Sequence, residues 1–375
     1  MMIRLRHTAP IEMQRGITML NTKKAFSTSS AIAALAVVAL LSACSGVPTD
    51  DQQAPSGDEV TIDVGTTTLS FPEGTEPVVA VFAGSGIAYQ TAYQEAFEEL
   101  KVEHGIEITY FDSQFDPTTQ LNQIRSAIQS GTYNAFIIEN YAAEAACSLL
   151  TEDAPAANIV VSQISNPTCD EGTKPAGDEF WSPGTLNTVG AHSTVTYADS
   201  LVRLSLDFIE SDSPEVAVIN GPPLVAATQN MDTALDNNGL TPVANLNSDY
   251  TTATALQQTA SILQATPDVD AIYSVGPNLT VGIVSALKQA GKAPGDVKVF
   301  EIGATEANAA LVEEGYLTMT VPYTPRSVAN TAVEQIIAAF AGNQGDRFYP
   351  ALNQGTATEP FAITRETTGS YSYEY

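Results

Sequence analysis

Val78-Val79-Ala80-Val81-Phe82 opens the regular part of this chain, and the pattern after it decides the fold. A continuous apolar run of this length reads as a strand covered on both faces. Tyr89, Tyr93, Phe97 and Leu100 follow at helical spacing, and Gly105 closes that helix. Ile106 to Phe111 reads as the next strand. Asp116-Pro117 then supplies an N-cap acid and a proline at the first helical position. Leu121, Ile124 and Ile128 form the stripe of that helix, and Gly131 ends it. Ala135 to Ile138 is a third strand, a helix covers about 141–150, and Ile159 to Ser162 is a fourth strand.

The alternation resumes downstream. Strands are expected at 215–220, 243–246, 271–275, 297–302 and 317–321. Helices are expected near 197–210, 226–238, 252–265, 279–290, 305–314 and 327–341. Alternating βαβ units imply parallel sheets with helices on both faces. Two such runs, about 77–163 and 214–321, imply an α/β protein of two doubly wound, Rossmann-like lobes. An irregular insert over 166–187 separates them and carries Cys169 and Trp181.

The residues ahead of the first strand carry an address. Lys23 and Lys24 precede an apolar run from Ala31 to Leu41, which ends in Leu41-Ser42-Ala43-Cys44. The run is too short to span a bilayer, which takes about 20 residues, so it reads as a removable export signal. The order of charge, apolar core, small residues and cysteine resembles a bacterial lipoprotein signal. That resemblance makes 1–43 the signal peptide and Cys44 the lipidated residue. Met19 stands as the better start, with 1–18 as an upstream extension that is not translated. Residues 44–76, rich in Pro, Gly, Ser, Thr and acid, read as a flexible tether.

Composition excludes several function classes. The chain has 15 Lys and Arg against 43 Asp and Glu, a formal net charge of −28. Five of the basic residues precede Cys44. So acidic a surface repels nucleic acid, whose binding rests on neutralising phosphates. It also disfavours adhesion to anionic headgroups, which leaves membrane attachment to the lipid alone. With Cys44 assigned to lipid, Cys147 and Cys169 are the pair left for a disulfide in an oxidising compartment. His104 and His192 are not spaced with cysteines as metal ligands, so neither metal nor cofactor is expected. No phosphate loop or nucleophile elbow is present, and no triad spacing; catalysis is not expected.

Ordered motifs bring a family into view. Phe111-Asp112-Ser113-Gln114-Phe115-Asp116-Pro117, with Gln120, Leu121 and Gln123, is similar to the second strand–helix junction of ribose-type periplasmic binding proteins. Thr266-Pro267-Asp268-Val269-Asp270-Ala271-Ile272-Tyr273 resembles the strand that enters the cleft in the second lobe. Gly282 to Gly291 looks like the helix after it. Gly315-Tyr316-Leu317-Thr318-Met319-Thr320-Val321 resembles the late strand leading to the hinge. The likeness runs over about 77–366 in the right order.

The resemblance implies the type I periplasmic-binding fold: two lobes joined by a three-strand hinge that close on a ligand. The N-terminal lobe is expected at 77–191 plus 324–350. The C-terminal lobe is expected at 192–323 plus 351–366, with a tail at 367–375. Lactose-repressor-type regulators share the fold, but here an export signal stands in place of their DNA-binding segment. The implied role is a monomeric, extracytoplasmic lipoprotein that captures a small solute for the permease of an ABC importer. A sensor feeding a membrane kinase or chemoreceptor is the alternative, and a surface hydrolase the third reading.

The resemblance also implies a site. Gly86, Tyr89 and Gln90 fall in the first cleft loop, where Tyr89 is expected to stack on ligand and present its hydroxyl. Ser162-Gln163 stands where sugar-binding relatives commonly have Asp-Arg. Gln229 falls near an arginine position, Asn278 near an Asn-Asp pair, and Gly303 at a usual aspartate. Tyr323 lies on the hinge side. Trp181 and His192 are further candidates, against the plainer readings of a local core plug and a structural histidine. The inferred pocket lacks carboxylates and arginines. Amides and hydroxyls suit a neutral sugar, polyol or partly apolar solute, and disfavour ribose in its usual pose.

Overall fold

The computed structural model describes residues 58–169, 174–223, 226–356 and 359–375. The export signal and Cys44 lie outside the described residues.

The described chain begins with a hairpin, β1 (Glu59–Asp63) and β2 (Thr68–Pro72), paired antiparallel with Ile62 opposite Leu69. A tether through residue 76 is therefore corrected from Glu59 onward. Ile62, Val64, Leu69 and Phe71 alternate with polar residues and are buried in the first lobe's core. Alternation of this kind is what a strand with one wet face requires. The turn between the strands uses Gly65 at φ +82°.

The first lobe follows as β3 (Val78–Ala83), α1 (Ala88–His104), β4 (Glu107–Asp112), α2 (Pro117–Ser130) and β5 (Ala135–Ile138). Next come α3 (Ala143–Ser148), a π-helical turn (Leu149–Asp153), α4 (Ala154–Ala156), β6 (Val160–Ile164) and β7 (Asn187–Val189). Its six-stranded parallel sheet runs β13-β7-β6-β5-β3-β4, with β13 (Phe348–Tyr349) returning late in the chain. Val79 and Val81 of β3 join one core with α1 and the hairpin, while Ala80 and Phe82 join the other with α2. That is why the run has no polar positions. The Asp116 side chain caps α2 by accepting from Thr119 N at 2.6 Å, and Gly131 closes it in the left-handed conformation.

The second lobe contains α5 (Val195–Ser205), β8 (Val216–Asn220), α6 (Ala226–Asn237), β9 (Ala244–Asn247), α7 (Thr252–Ala265) and β10 (Ala271–Ser274). It continues with α8 (Pro277–Gln289), β11 (Lys298–Gly303), α9 (Glu306–Glu314) and β12 (Met319–Pro322). The strand order is β12-β11-β10-β8-β9, parallel throughout. The chain then passes through Tyr323 into α10 (Pro325–Phe340), which packs back on α1 of the first lobe. Tyr323 touches the cores of both lobes. The sheets put the carboxyl ends of β3, β5, β6, β8, β10 and β11 beside the crossing segments, which is where open α/β sheets place their ligands.

Cys147 and Cys169 are joined by a disulfide, with Cα atoms 4.6 Å apart. The bond ties α3 to the insert, and Cys169 N also donates to Ala143 O at 3.1 Å. A closed loop of this size constrains the unfolded chain by about 3 kcal/mol in the loop-entropy account. The C147S/C169S double variant is expected to lose stability of that order in urea unfolding. Thiol titration of the denatured, unreduced protein should find no free thiol at either position.

Trp181 has a structural task here. Its ring covers Gly65 of the hairpin turn, its Nε1 donates to Thr185 O at 3.2 Å, and the Arg347 guanidinium lies 4.5 Å from the ring centre. Arg347 in turn pairs with Asp63 at 2.8 Å and donates to Leu186 O at 3.0 Å. Trp181 is thus the plug that fastens the hairpin, and the expectation that it caps the ligand pocket is corrected.

Candidate functional site

A buried carboxylate sits at the carboxyl end of β5. Glu139 is 5% exposed. Its Oε2 accepts from Gln90 Nε2 and from the Tyr141 hydroxyl, both at 2.5 Å. Gln120 clamps this turn in both directions: its Nε2 donates to Glu139 O, and its Oε1 accepts from Tyr141 N, each at 2.9 Å. Gly84 N donates to the Tyr141 hydroxyl at 2.8 Å, and Tyr110 donates to Gly84 O at 2.6 Å. Burial dominates the charge balance and raises the Glu139 carboxyl to about 7, against the pull of its two donors. The expectation of a pocket stripped of carboxylates is corrected by this residue.

The first cleft loop owes its path to glycines. Gly86 sits at φ +88° with open space around it, so its role is conformational. A Cβ on Gly84 would overlap the Phe115 ring, which lies 5.2 Å from Tyr141. Phe115 and Ile87 leave two exposed apolar side chains on this loop and its neighbour.

A second cluster lies where β6 and β7 end. The Tyr89 hydroxyl meets Tyr93 at 2.9 Å, Ser165 at 3.0 Å and His192 Nε2 at 2.9 Å. Its hydroxyl is therefore saturated within the protein, which corrects the expectation that it is offered to ligand. What Tyr89 offers is its ring, packed edge-on against His192, Tyr323 and Tyr375 at 5.7, 5.4 and 5.8 Å. His192 lies 4.8 Å from Tyr323. Burial lowers the imidazole to about 3, so it is neutral at physiological pH. Since Tyr89 donates to Tyr93, the consistent tautomer has Nε2–H donating to Tyr89. Nδ1 is then a bare acceptor, and it is buried without a partner among the described residues.

Several expected residues sit elsewhere. Gln163 points under the sheet and donates to the Thr185 and Thr188 hydroxyls at 3.1 Å. Ser165 lies past the end of β6, where the backbone turns at φ +59°, and its hydroxyl meets Tyr89 and Tyr93 instead. Gln229 is exposed; Asn230, buried on the stripe of Ala227, Met231 and Ala234, faces inward and donates to Ser193 O at 2.7 Å. Asn278 is exposed on the first turn of α8. Gly303 sits at φ +152°, where a Cβ would overlap the Pro277 ring, so no aspartate fits there.

Sequence reasoning missed Glu139, Tyr141, Ser165, Tyr250 and Tyr375. Glu139-Asn140-Tyr141 directly follows an apolar strand, and the rule for carboxyl ends would have found it. Tyr250, at φ +61°, lays its phenol over Gly221 and Gly276, the glycines that end β8 and follow β10. Among the described residues, no group of three His, Cys, Asp or Glu is placed to hold a metal, and no helix is long and apolar enough to cross a membrane.

The family model described as "Periplasmic binding protein domain" matches residues 78–344. The chain belongs to the periplasmic binding protein family. It is 23% identical over 301 residues to the ribose import binding protein of Bacillus subtilis (strain 168), covering 79% of this chain and 87% of that protein. It is 27% identical over 144 residues to the D-allose-binding periplasmic protein of Escherichia coli (strain K12), covering 36% and 44%. An ABC-transporter solute binding protein from Bacillus halodurans, solved with bound myo-inositol, superposes with a TM-score of 0.65 at 18% identity, covering 81% of this chain and 99% of that one. The fold is thus the type I periplasmic-binding architecture of two lobes.

Proposed function

We propose that this periplasmic binding protein is the solute-capturing component of an ABC importer, taking a small neutral polyhydroxylated ligand, a sugar or polyol, between its lobes by hinge closure. One observation carries the ligand class. Gln90 Oε1, His192 Nδ1 and Asn230 Oδ1 are buried acceptors without donors among the described residues. They belong to one chain of contacts: Gln90 adjoins Tyr89, Tyr89 bonds His192, and Asn230 bonds the carbonyl of Ser193. Gln90 and His192 come from the first lobe and its crossing, Asn230 from the second. Buried acceptors call for donors, and hydroxyl groups supply them without charge. The tyrosine rings give sugar C–H faces something to pack on. Glu139 adds an acceptor for a hydroxyl, or a donor when protonated.

The relatives bearing the names ribose and D-allose, and the neighbour holding myo-inositol, support the same class. Delivery to a permease and attachment through a lipid on Cys44 belong to this proposal, as does an extracytoplasmic location. Binding drives closure because a ligand that touches both lobes favours the closed state.

Thermal-shift and calorimetric titration of residues 45–375 with ribose, D-allose, myo-inositol and glycerol test it. At 100 times its dissociation constant, a true ligand stabilises by about 2.7 kcal/mol. H192A and Q90A should each weaken binding about tenfold, the loss of one buried hydrogen bond. If sugar acids bind better than neutral polyols, or no polyol binds, the reading fails.

A further inference from the structure

The segment after the last crossing returns to the cleft. Ile363 bridges Thr320 of β12 antiparallel, and the chain then runs back toward the hinge. Glu374 and Tyr375 are held there by a set of polar contacts. The Glu374 carboxylate accepts from Arg326 N at 2.8 Å, Ser327 N at 3.1 Å and Ser327 Oγ at 2.5 Å. These are first-turn donors of α10, where the helix dipole favours an anion. Tyr375 O accepts from Glu306 N at 2.8 Å, at the start of α9. The Tyr375 hydroxyl donates to Gly303 O at 3.0 Å. Tyr371 adds a bond to Asn353 at 2.9 Å. The ring of Tyr375 thereby stands 5.8 Å from Tyr89, edge to face, with its hydroxyl at the carboxyl end of β11.

We propose that Tyr375 is a specificity-determining wall of the ligand cleft, supplied by this returning segment, and that it restricts the cleft to small polyols. The inference rests on the solute-binding reading above. Two features favour a fixed wall over a plug that a ligand displaces. Glu374 and Tyr375 are tied, by carboxylate and backbone bonds, to two different helices: α10 beyond the hinge and α9 of the second lobe. The Tyr375 hydroxyl also uses its one proton on the Gly303 carbonyl, so the ring is locked in place. Gly303 has no side chain and no room for one beside Pro277, and its carbonyl is what holds the phenol. Removing the ring opens volume next to Tyr89 and Tyr323, and larger ligands gain from it.

The test is a size series of neutral polyols, glycerol, ribose, D-allose and myo-inositol, titrated by calorimetry against wild type, Y375A, Y375F and E374Q. Y375A is expected to shift the affinity ratio of myo-inositol to ribose at least tenfold toward the larger ligand. Y375F keeps the ring and should keep the ratio. E374Q loosens the anchor without removing the ring, and should move the ratio part of the way. Wild-type binding to any member tests the solute-binding reading by itself. If wild type binds but folded Y375A shows an unchanged ratio, the wall is refuted while the function stands. If the larger polyols bind Y375A and not wild type, the wall is supported in its strongest form. If no protein in the set binds any polyol, both fall together.

Discussion

F71A is expected to cost about 3–5 kcal/mol of unfolding free energy, the range for deleting a buried phenylalanine ring. A residue in a flexible tether would cost nothing. Phe71 is 4% exposed and its ring centre lies 4.6 Å from that of Phe340, on the last turns of α10. Ile62, Val64 and Leu69 share that core. The hairpin is further pinned by Arg347, which bonds both the backbone and the carboxylate of Asp63 while its guanidinium lies over Trp181. Asn158 reaches Ser70 O at 3.0 Å from the far side. T61A, on the wet face of β1, is the control and should change stability by less than about 0.5 kcal/mol. Urea unfolding of the two variants decides it. An F71A curve coincident with wild type would return residues 59–72 to the tether.

That hairpin shows where the sequence was hard to read. Val60, Ile62 and Val64 alternate with polar residues, as do Leu69 and Phe71, so the period-2 signal was present. It was masked by the Pro, Gly, Thr and acidic residues around it, which match a linker in composition. The lobes were easier, because Val78 to Phe82, Asp116-Pro117 and Gly131 each carry a local physical reason for the element they form. The site was legible only as a region. Strand alternation alone puts Gln163 and Ser165 on one face, but the backbone leaves the strand at Ser165 with φ +59°, so Gln163 stays bonded to Thr185 and Thr188 while Ser165 meets Tyr89. A helix turns about 100° per residue, so Gln229 in place of Asn230 moved from buried to solvent. Tyr250 and Tyr375 reach the cleft by tertiary contact, and no periodicity announces them.

E139Q is expected to flatten the pH dependence of stability between pH 4.5 and about 7. The Glu139 carboxyl rises from 4.5 to about 7 in the folded protein, first through burial. Below pH 4.5 the group is protonated in both states and contributes no difference. Between these two values the unfolded chain releases the proton while the folded chain keeps it, so stability falls as pH rises. Above pH 7 or so both states are ionised and the loss is complete. It amounts to something on the order of 3 kcal/mol, because each pH unit separating the folded and unfolded pKa values is worth about 1.36 kcal/mol. Glutamine cannot ionise, so the variant lacks this slope. Its oxygen can accept the two bonds that Oε2 accepts, but its NH2 group brings two donors into a buried place that a carboxyl fills with one oxygen or one hydroxyl. At about pH 5 the variant should therefore be the less stable protein, and by about pH 8 the difference should shrink or reverse. Urea unfolding of both proteins at half-unit steps from about pH 4.5 to 8.5 measures it. Parallel curves across that range would mean that Glu139 is ionised throughout, and that a solute bound as proposed would meet a fixed carboxylate instead of a group that switches between acceptor and donor near neutral pH.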